Sequence, residues 1–172
     1  NDGEGGSGGN AAGIIILHTF GDVIANNLIA NGNEGFGSDQ ATAGIGEIRN
    51  IDGSGGGGAG GTIVVTSAGN ITGTNLYARG GEGGSQVIDV GLFANTTEAQ
   101  GTGGGGGGGY IGVSNTGSWN FDVSGGVNGT TNSDGLTEFP ENGASSGDSG
   151  LIQTLPKNYH FYGNDTTICG GA

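Results

Sequence analysis

The sequence predicts an all-β protein, a glycine-rich β-solenoid (parallel β-helix-like) of three repeats with extended polyglycine runs, on three observations. Residues Gly13 to Gly32 match Gly61 to Gly80 without a gap, 48 residues further on. Each copy holds short β-branched runs in which apolar residues alternate, the two-residue period of a pleated strand. The glycine runs Gly3 to Gly9, Gly53 to Gly61 and Gly101 to Gly109 keep the period of the strands, and a disordered linker has no reason to hold register. A β-sandwich of hairpins is the alternative, because the turns between strands would also close tight hairpins.

Within the repeat, Gly13, Ile15, Gly21, Asn27, Leu28, Ala30 and Gly32 recur as Gly61, Ile63, Gly69, Asn75, Leu76, Ala78 and Gly80. A third copy begins with Gly109, Ile111, Val113 and Gly117. It then shortens by three, so that Phe121, Val123, Gly125 and Gly126 answer Leu76, Ala78, Gly80 and Gly81. The copies run over about 1–52, 53–100 and 101–155. In each, a glycine run leads into a first strand: Ile14 to Thr19, Thr62 to Ser67, Tyr110 to Asn115. A turn follows, at Gly21-Asp22, Gly69-Asn70 or Gly117-Ser118, and then a second strand over Val23 to Ala30, Ile71 to Ala78 or Trp119 to Ser124. Ile15 and Leu17, Ile63 and Val65, and Ile111 and Val113 fall on one side of the pleat and are the candidate core ladders, buried only when copies stack. The glycine runs are expected to pack as an extended backbone layer beside the strands, with flexible tethers as the other reading.

Composition says where the cohesion must come from. Only 31% of the residues are hydrophobic, 46 of 172 are glycine and none is methionine, which excludes a bulky side-chain core and leaves backbone hydrogen bonds and thin apolar rows. Collagen is excluded because glycine keeps no three-residue period and the only prolines are Pro140 and Pro156. General disorder fits poorly with Ile14-Ile15-Ile16-Leu17 and Ile63-Val64-Val65. Sixteen acidic residues against Arg49, Arg79 and Lys157 give a net charge of −13, which repels phosphate backbones and removes nucleic acid as a partner. No apolar run is long enough for a membrane span. Cys169 is the single cysteine, so no disulfide forms within these residues and no cysteine-based metal site exists. The opening Asn1-Asp2-Gly3-Glu4, without an initiator Met or a leader, is expected of a processed piece of a longer protein.

Few motifs carry chemistry. Gly147-Asp148-Ser149-Gly150 looks like the nucleophile segment of chymotrypsin-like serine proteases, but Leu151 and Ile152 follow where that motif continues with Gly and Pro. The available bases, His18 and His160, sit in a repeat strand and an aromatic tail, and a triad needs a base oriented by an acid. Matches to G-x-G-x-x-G arise automatically in polyglycine, with no helix to receive a phosphate. No cofactor is expected, with calcium the one candidate: Asp2, Glu4, Asp22 and Asp52, along with Asn1 and Asp39, set hard oxygen ligands in glycine-rich loops, although no EF-hand loop occurs. Trp119 and Tyr77 are a candidate glycan platform, against a packing role shared with Phe121 and Tyr110. An ice-binding face would need regular threonine rows, which Thr19, Ser67 and Asn115 do not supply.

Three stretches, Gly55 to Val65, Leu76 to Gly84 and Gly103 to Ile111, resemble the glycine-rich surface proteins of Bacteroidetes, large exported proteins associated with gliding motility and carried by the type IX secretion system. Gly163-Asn164-Asp165-Thr166-Thr167-Ile168-Cys169 looks like the opening strand of the immunoglobulin-like modules that follow in such proteins. On that resemblance, 156–172 is a linker and the first strand of such a module, and Cys169 pairs with a later cysteine outside these residues. Asp165-Thr166-Thr167 resembles the short O-glycosylation motif of these bacteria, which makes Thr166 the candidate acceptor. The resemblance implies an extracellular, cell-surface location and a noncatalytic structural or adhesive role, with other modules of the same polypeptide or surface assembly as partners. The alternatives are a carbohydrate-binding module of a secreted enzyme, with glycans as partners, and a subunit of an extracellular filament with stacking continued through strand edges.

Overall fold

The computed structural model describes residues 5–38, 53–86, 101–114, 119–132 and 141–156. Runs of Ile, Val and Thr bounded by glycine form the strands, as β-branched side chains favour a pleated surface. Among the described residues these are β1 (Ile14–Thr19), β2 (Val23–Ile29), β3 (Thr62–Ser67), β4 (Ile71–Tyr77), β5 (Tyr110–Val113), β6 (Asn120–Asp122) and β7 (Leu151–Thr154). They pair in two small sheets, in the orders β1-β3-β5-β7 and β2-β4-β6. Every pairing is parallel and joins equivalent residues of successive copies, Ile15 to Ile63 to Ile111 in one sheet and Leu28 to Leu76 to Phe121 in the other. The third copy's first strand stops at Val113, with Asn115 outside the described residues, and its second spans only Asn120–Asp122.

The inner faces of the two sheets share one apolar cluster. Ile63, Val65, Leu76, Ala78, Ile111 and Val113 are wholly enclosed, with Ile15, Leu17, Leu28 and Phe121 packed partly buried against them. Ile15 and Leu17 are less covered than their equivalents because β1 is an edge strand. Trp119, just before the short β6, joins the cluster with its ring against Gly73, where any Cβ would collide with the indole.

Outside the strands, each sheet runs on into a glycine layer. Leading segments 5–13, 53–61, 101–109 and 144–150 enter the first sheet, and trailing segments 30–37, 78–86 and 123–131 leave the second. Neighbouring leading segments are bonded at every third residue: Gly6, Gly9 and Ala12 donate N–H to the carbonyls of Gly53, Gly56 and Ala59. That period belongs to an extended helix with three residues per turn, not to a pleated strand. The layers bond to each other as well, through Gly55 N–H to Phe36 O at 2.9 Å, Gly58 N–H to Asn33 O at 2.8 Å and Gly81 N–H to Gly58 O at 2.8 Å.

Three-residue geometry gives each position in a leading segment one of three environments. A Cβ on Gly57, Gly60, Gly105 or Gly108 would overlap backbone of the facing layer. A Cβ on Gly55, Gly58, Gly103 or Gly106 would overlap the equivalent backbone one copy earlier. The third phase, Gly53, Gly56 and Ala59, points outward, and a Cβ at Gly56 would meet only Gly104 O at an ordinary 3.5 Å. The alanines Ala11 and Ala59 sit in this tolerant phase.

Two expectations are corrected. The β-solenoid does not form: the described residues make two small parallel sheets, and no solenoid coil is present in them. The glycine half of each copy adopts a three-residue bonding period that a pleated rung cannot continue, so the sheets stop where glycine begins. Nor do the hairpins of a sandwich form, since β1 and β2, joined at Gly21-Asp22, lie in different sheets, as do β3 and β4. The first sheet also holds a fourth strand, β7, which the three-copy repeat does not predict. Gly147 and Gly150 ahead of it occupy the packing positions of Gly106 and Gly109, but 41 residues on rather than 48. The chain reaches this segment through a turn at Asn142-Gly143, both at positive φ, closed by Ala144 N–H to Glu141 O at 2.9 Å. That pair of dihedrals is the type I′ pattern that Asn-Gly favours.

Substitutions separate the phases. Gly106→Ala is expected to destabilise by about 1–3 kcal/mol through overpacking, whereas Gly56→Ala should be stabilising by about 0.4–1 kcal/mol through reduced unfolded-state entropy. Opposite shifts of the thermal midpoint check this; equal shifts would refute the phase assignment. In the core, Ile63→Asp should cost about 4 kcal/mol or more because an unpaired carboxylate replaces enclosed packing. Ile14→Asp, on the exposed outer face of β1, should stay within about 0.5 kcal/mol in the same denaturant titration.

Candidate functional site

Polar side chains cluster along the copies as ladders. Asn75 Nδ2 donates to Asn27 Oδ1 at 2.7 Å and Asn120 Nδ2 to Asn75 Oδ1 at 3.2 Å, so one asparagine per copy spans the second sheet. His18 Nδ1 lies 2.6 Å from Thr66 Oγ1. The Tyr110 hydroxyl lies 2.9 Å from Gln153 Oε1. At the turns, Ser67 Oγ donates to Gly21 O at 2.6 Å, and Ser67 N–H donates to Ser114 Oγ at 3.0 Å. Each bond joins neighbouring copies, which the parallel register makes adjacent.

Arg79 is the cation placed among the described ladders. Its Nε donates to Asp122 Oδ2 at 2.7 Å, and its guanidinium carbon lies 4.4 Å from the ring centroid of Tyr77. The Asp122 carboxyl is held below the usual carboxylate range, chiefly by the backbone N–H of Ser124; desolvation opposes this as the next largest effect, and the Ser124 side chain and then Arg79 lower it further.

The residues singled out from the sequence form no common site among the described residues. Trp119 is only 8% exposed and belongs to the core cluster, while Tyr77 is half-buried beneath Arg79, so the two present no shared platform. Asp22 accepts from Asn70 N–H at 2.7 Å and thereby closes the neighbouring turn. Asp2, Glu4, Asp39, Asp52, His160, Thr166 and Cys169 lie outside the described residues. Among the described residues no group of three or more His, Cys, Asp or Glu could hold a metal ion, and no helix is long and apolar enough to cross a membrane. In the protease-like segment, Gly147 and Gly150 press on the carbonyls of Gly106 and Gly109, and Asp148 O accepts from Gly108 N–H.

Sequence reasoning missed an open groove of about 500 Å³ at the first-copy end, whose lining includes Asn10, Asn31, Asn33, Glu34, Phe36 and Arg79. Phe36 is 60% exposed there. A signal was present, because Asn10, Asn33 and Phe36 interrupt positions that are glycine in the second copy, Gly58, Gly81 and Gly84. Asp122 falls opposite Tyr77, as the alignment of Phe121 with Leu76 implies, but no motif marks it as the partner of Arg79.

No family model matches the chain, and neither a curated protein nor a solved structure matches it.

The lowered pKa of Asp122 sets a pH dependence. A depressed folded-state pKa contributes stability that is present above the unfolded carboxylate value, about 3.9, and lost as pH falls through the folded value. Asp122→Asn should therefore flatten the fall of the thermal midpoint in the window below about pH 4. An unaltered slope there would show that the Arg79 and Ser124 contacts do not hold the carboxylate.

Proposed function

We propose that this chain is a noncatalytic structural or adhesive segment of an exported bacterial surface protein, the role implied by its resemblance to the glycine-rich surface proteins of Bacteroidetes. The observation that carries the proposal is where the polar side chains go. Asn27, Asn75 and Asn120, His18 and Thr66, and Arg79 and Asp122 are engaged with one another across copies, so their chemistry holds neighbouring copies in register. Around them, two layers of hydrogen-bonded glycine backbone make a scaffold that needs little side-chain bulk. The high negative charge suits a solvated exterior role. The outward phase of the leading layer, with Gly8, Ala11, Gly53, Gly56 and Ala59 exposed, offers a surface that is almost free of side chains.

A second reading is glycan binding, favoured by the groove in which an exposed Phe36 stands beside Asn10, Asn31 and Asn33. An aromatic face with amide groups around it is suited to sugar hydroxyls and ring C–H groups. A glycan array on the whole chain, repeated with Phe36→Ala, separates the two. The structural reading expects no saturable binding to any glycan. Saturable binding that Phe36→Ala abolishes would replace it with the second.

A further inference from the structure

Every copy after the first leans on the one before it through glycine. A Cβ on Gly55 or Gly58 would overlap the carbonyl of Ser7 or Asn10, and one on Gly103 or Gly106 would overlap that of Gly55 or Gly58. The trailing layer obeys the same rule: Gly81 and Gly84 abut the carbonyls of Asn33 and Phe36, and Gly126 and Gly129 abut those of Gly81 and Gly84. The contact therefore demands glycine on the later copy and accepts any residue on the earlier one, whose carbonyl alone is touched. In the first copy these positions are Ser7, Asn10, Asn33 and Phe36, all four exposed. Other side chains of these segments, Ala11, Ala12, Asn31 and Glu34, stand in the remaining phases, as Ala59, Arg79 and Glu82 do in the second copy. What is peculiar to the first copy is that side chains also stand in the phase that must be bare for another copy to lie against this edge, at two positions in each layer.

We infer that Ser7, Asn10, Asn33 and Phe36 are end caps that close the glycine stack at the first copy, so that neither a further repeat upstream nor a second molecule extends the two layers across this edge. Sheet edges alone would not impose this. Among the described residues β1 is a parallel edge strand carrying exposed Ile14 and Ile16, the kind of edge that recruits another strand unless something blocks it. The caps supply the block beside the strands, because a chain docking in register on β1 would drive its own leading carbonyls into the side chains of Ser7 and Asn10. A filament built by continuing the repeat end to end is thereby disfavoured, while lateral contacts through other faces are left open. This inference goes beyond the proposed role and holds whether that role is structural or glycan-binding.

The test adds a copy. Residues 53–100 are joined directly to Gly5, which preserves the 48-residue spacing, in two backgrounds: the natural sequence, and one carrying Ser7→Gly, Asn10→Gly, Asn33→Gly and Phe36→Gly. Amide hydrogen exchange reads whether the added copy joins the stack, with the protection of the original Gly57, Gly58 and Gly60 as the control for folding. The expected result is an added copy that exchanges freely in the natural background. In the glycine background it should be protected at least tenfold more, with a higher thermal midpoint, as stacked repeats stabilise their neighbours. Protection of the added copy in the natural background would overturn the inference. So would free exchange in both backgrounds with the control amides protected, since the four side chains would then not be what closes the edge.

Discussion

Contact between glycine backbones with no side chain between them is the interaction on which this structure rests. Without a Cβ, a segment can be bonded to the neighbouring copy in its own layer and to the facing layer at once, as 53–61 is through Gly57 N–H to Gly104 O and Gly58 N–H to Asn33 O. Glycine loses more conformational freedom on folding than any other residue, and each backbone hydrogen bond returns only about 0.5–1.5 kcal/mol net. A single glycine segment could not stay ordered on those terms. A two-dimensional array in which each interior segment meets several others can, and the small apolar cluster adds to it.

The strands inherit their arrangement from that array. Where side chains exist, the two sheets stand apart and Ile63, Val65, Leu76 and Ile111 fill the space between them. Where they are absent, the same two layers close until backbone meets backbone. Parallel register follows from stacking equivalent residues, and it sets identical polar side chains opposite one another, as with Asn27, Asn75 and Asn120. These ladders are a product of translation by one copy. They explain why polar residues recur at repeat positions without forming a reactive cluster.

The candidate site was harder to read than the scaffold. Trp119 looked available because it begins a strand, yet its ring fills the space that Gly73 leaves open, a contact between residues that no periodicity relates. Asp22, a candidate cation ligand in the sequence, accepts the N–H of Asn70 across copies, a contact that the sequence does not announce. The groove assembles from a leading and two trailing segments, so its residues, Asn10, Asn33, Phe36 and Arg79 among them, are distant in sequence. What announced it was the absence of glycine at places where the next copy has it.

By itself the sequence determined the all-β character, the position of six strands to within a few residues, and the pairing of Ile15, Ile63 and Ile111. These follow from local alternation and from a repeat that can be aligned by eye. Only the tertiary structure decided that two parallel sheets form rather than a solenoid, that β7 adds a fourth strand, and which glycines are required by contact. The physical reason is that a glycine carries no label for its surroundings. Gly56, Gly57 and Gly58 are identical in the sequence and differ only in what lies beyond the missing Cβ: an ordinary contact with the next copy, the facing layer, or the preceding copy.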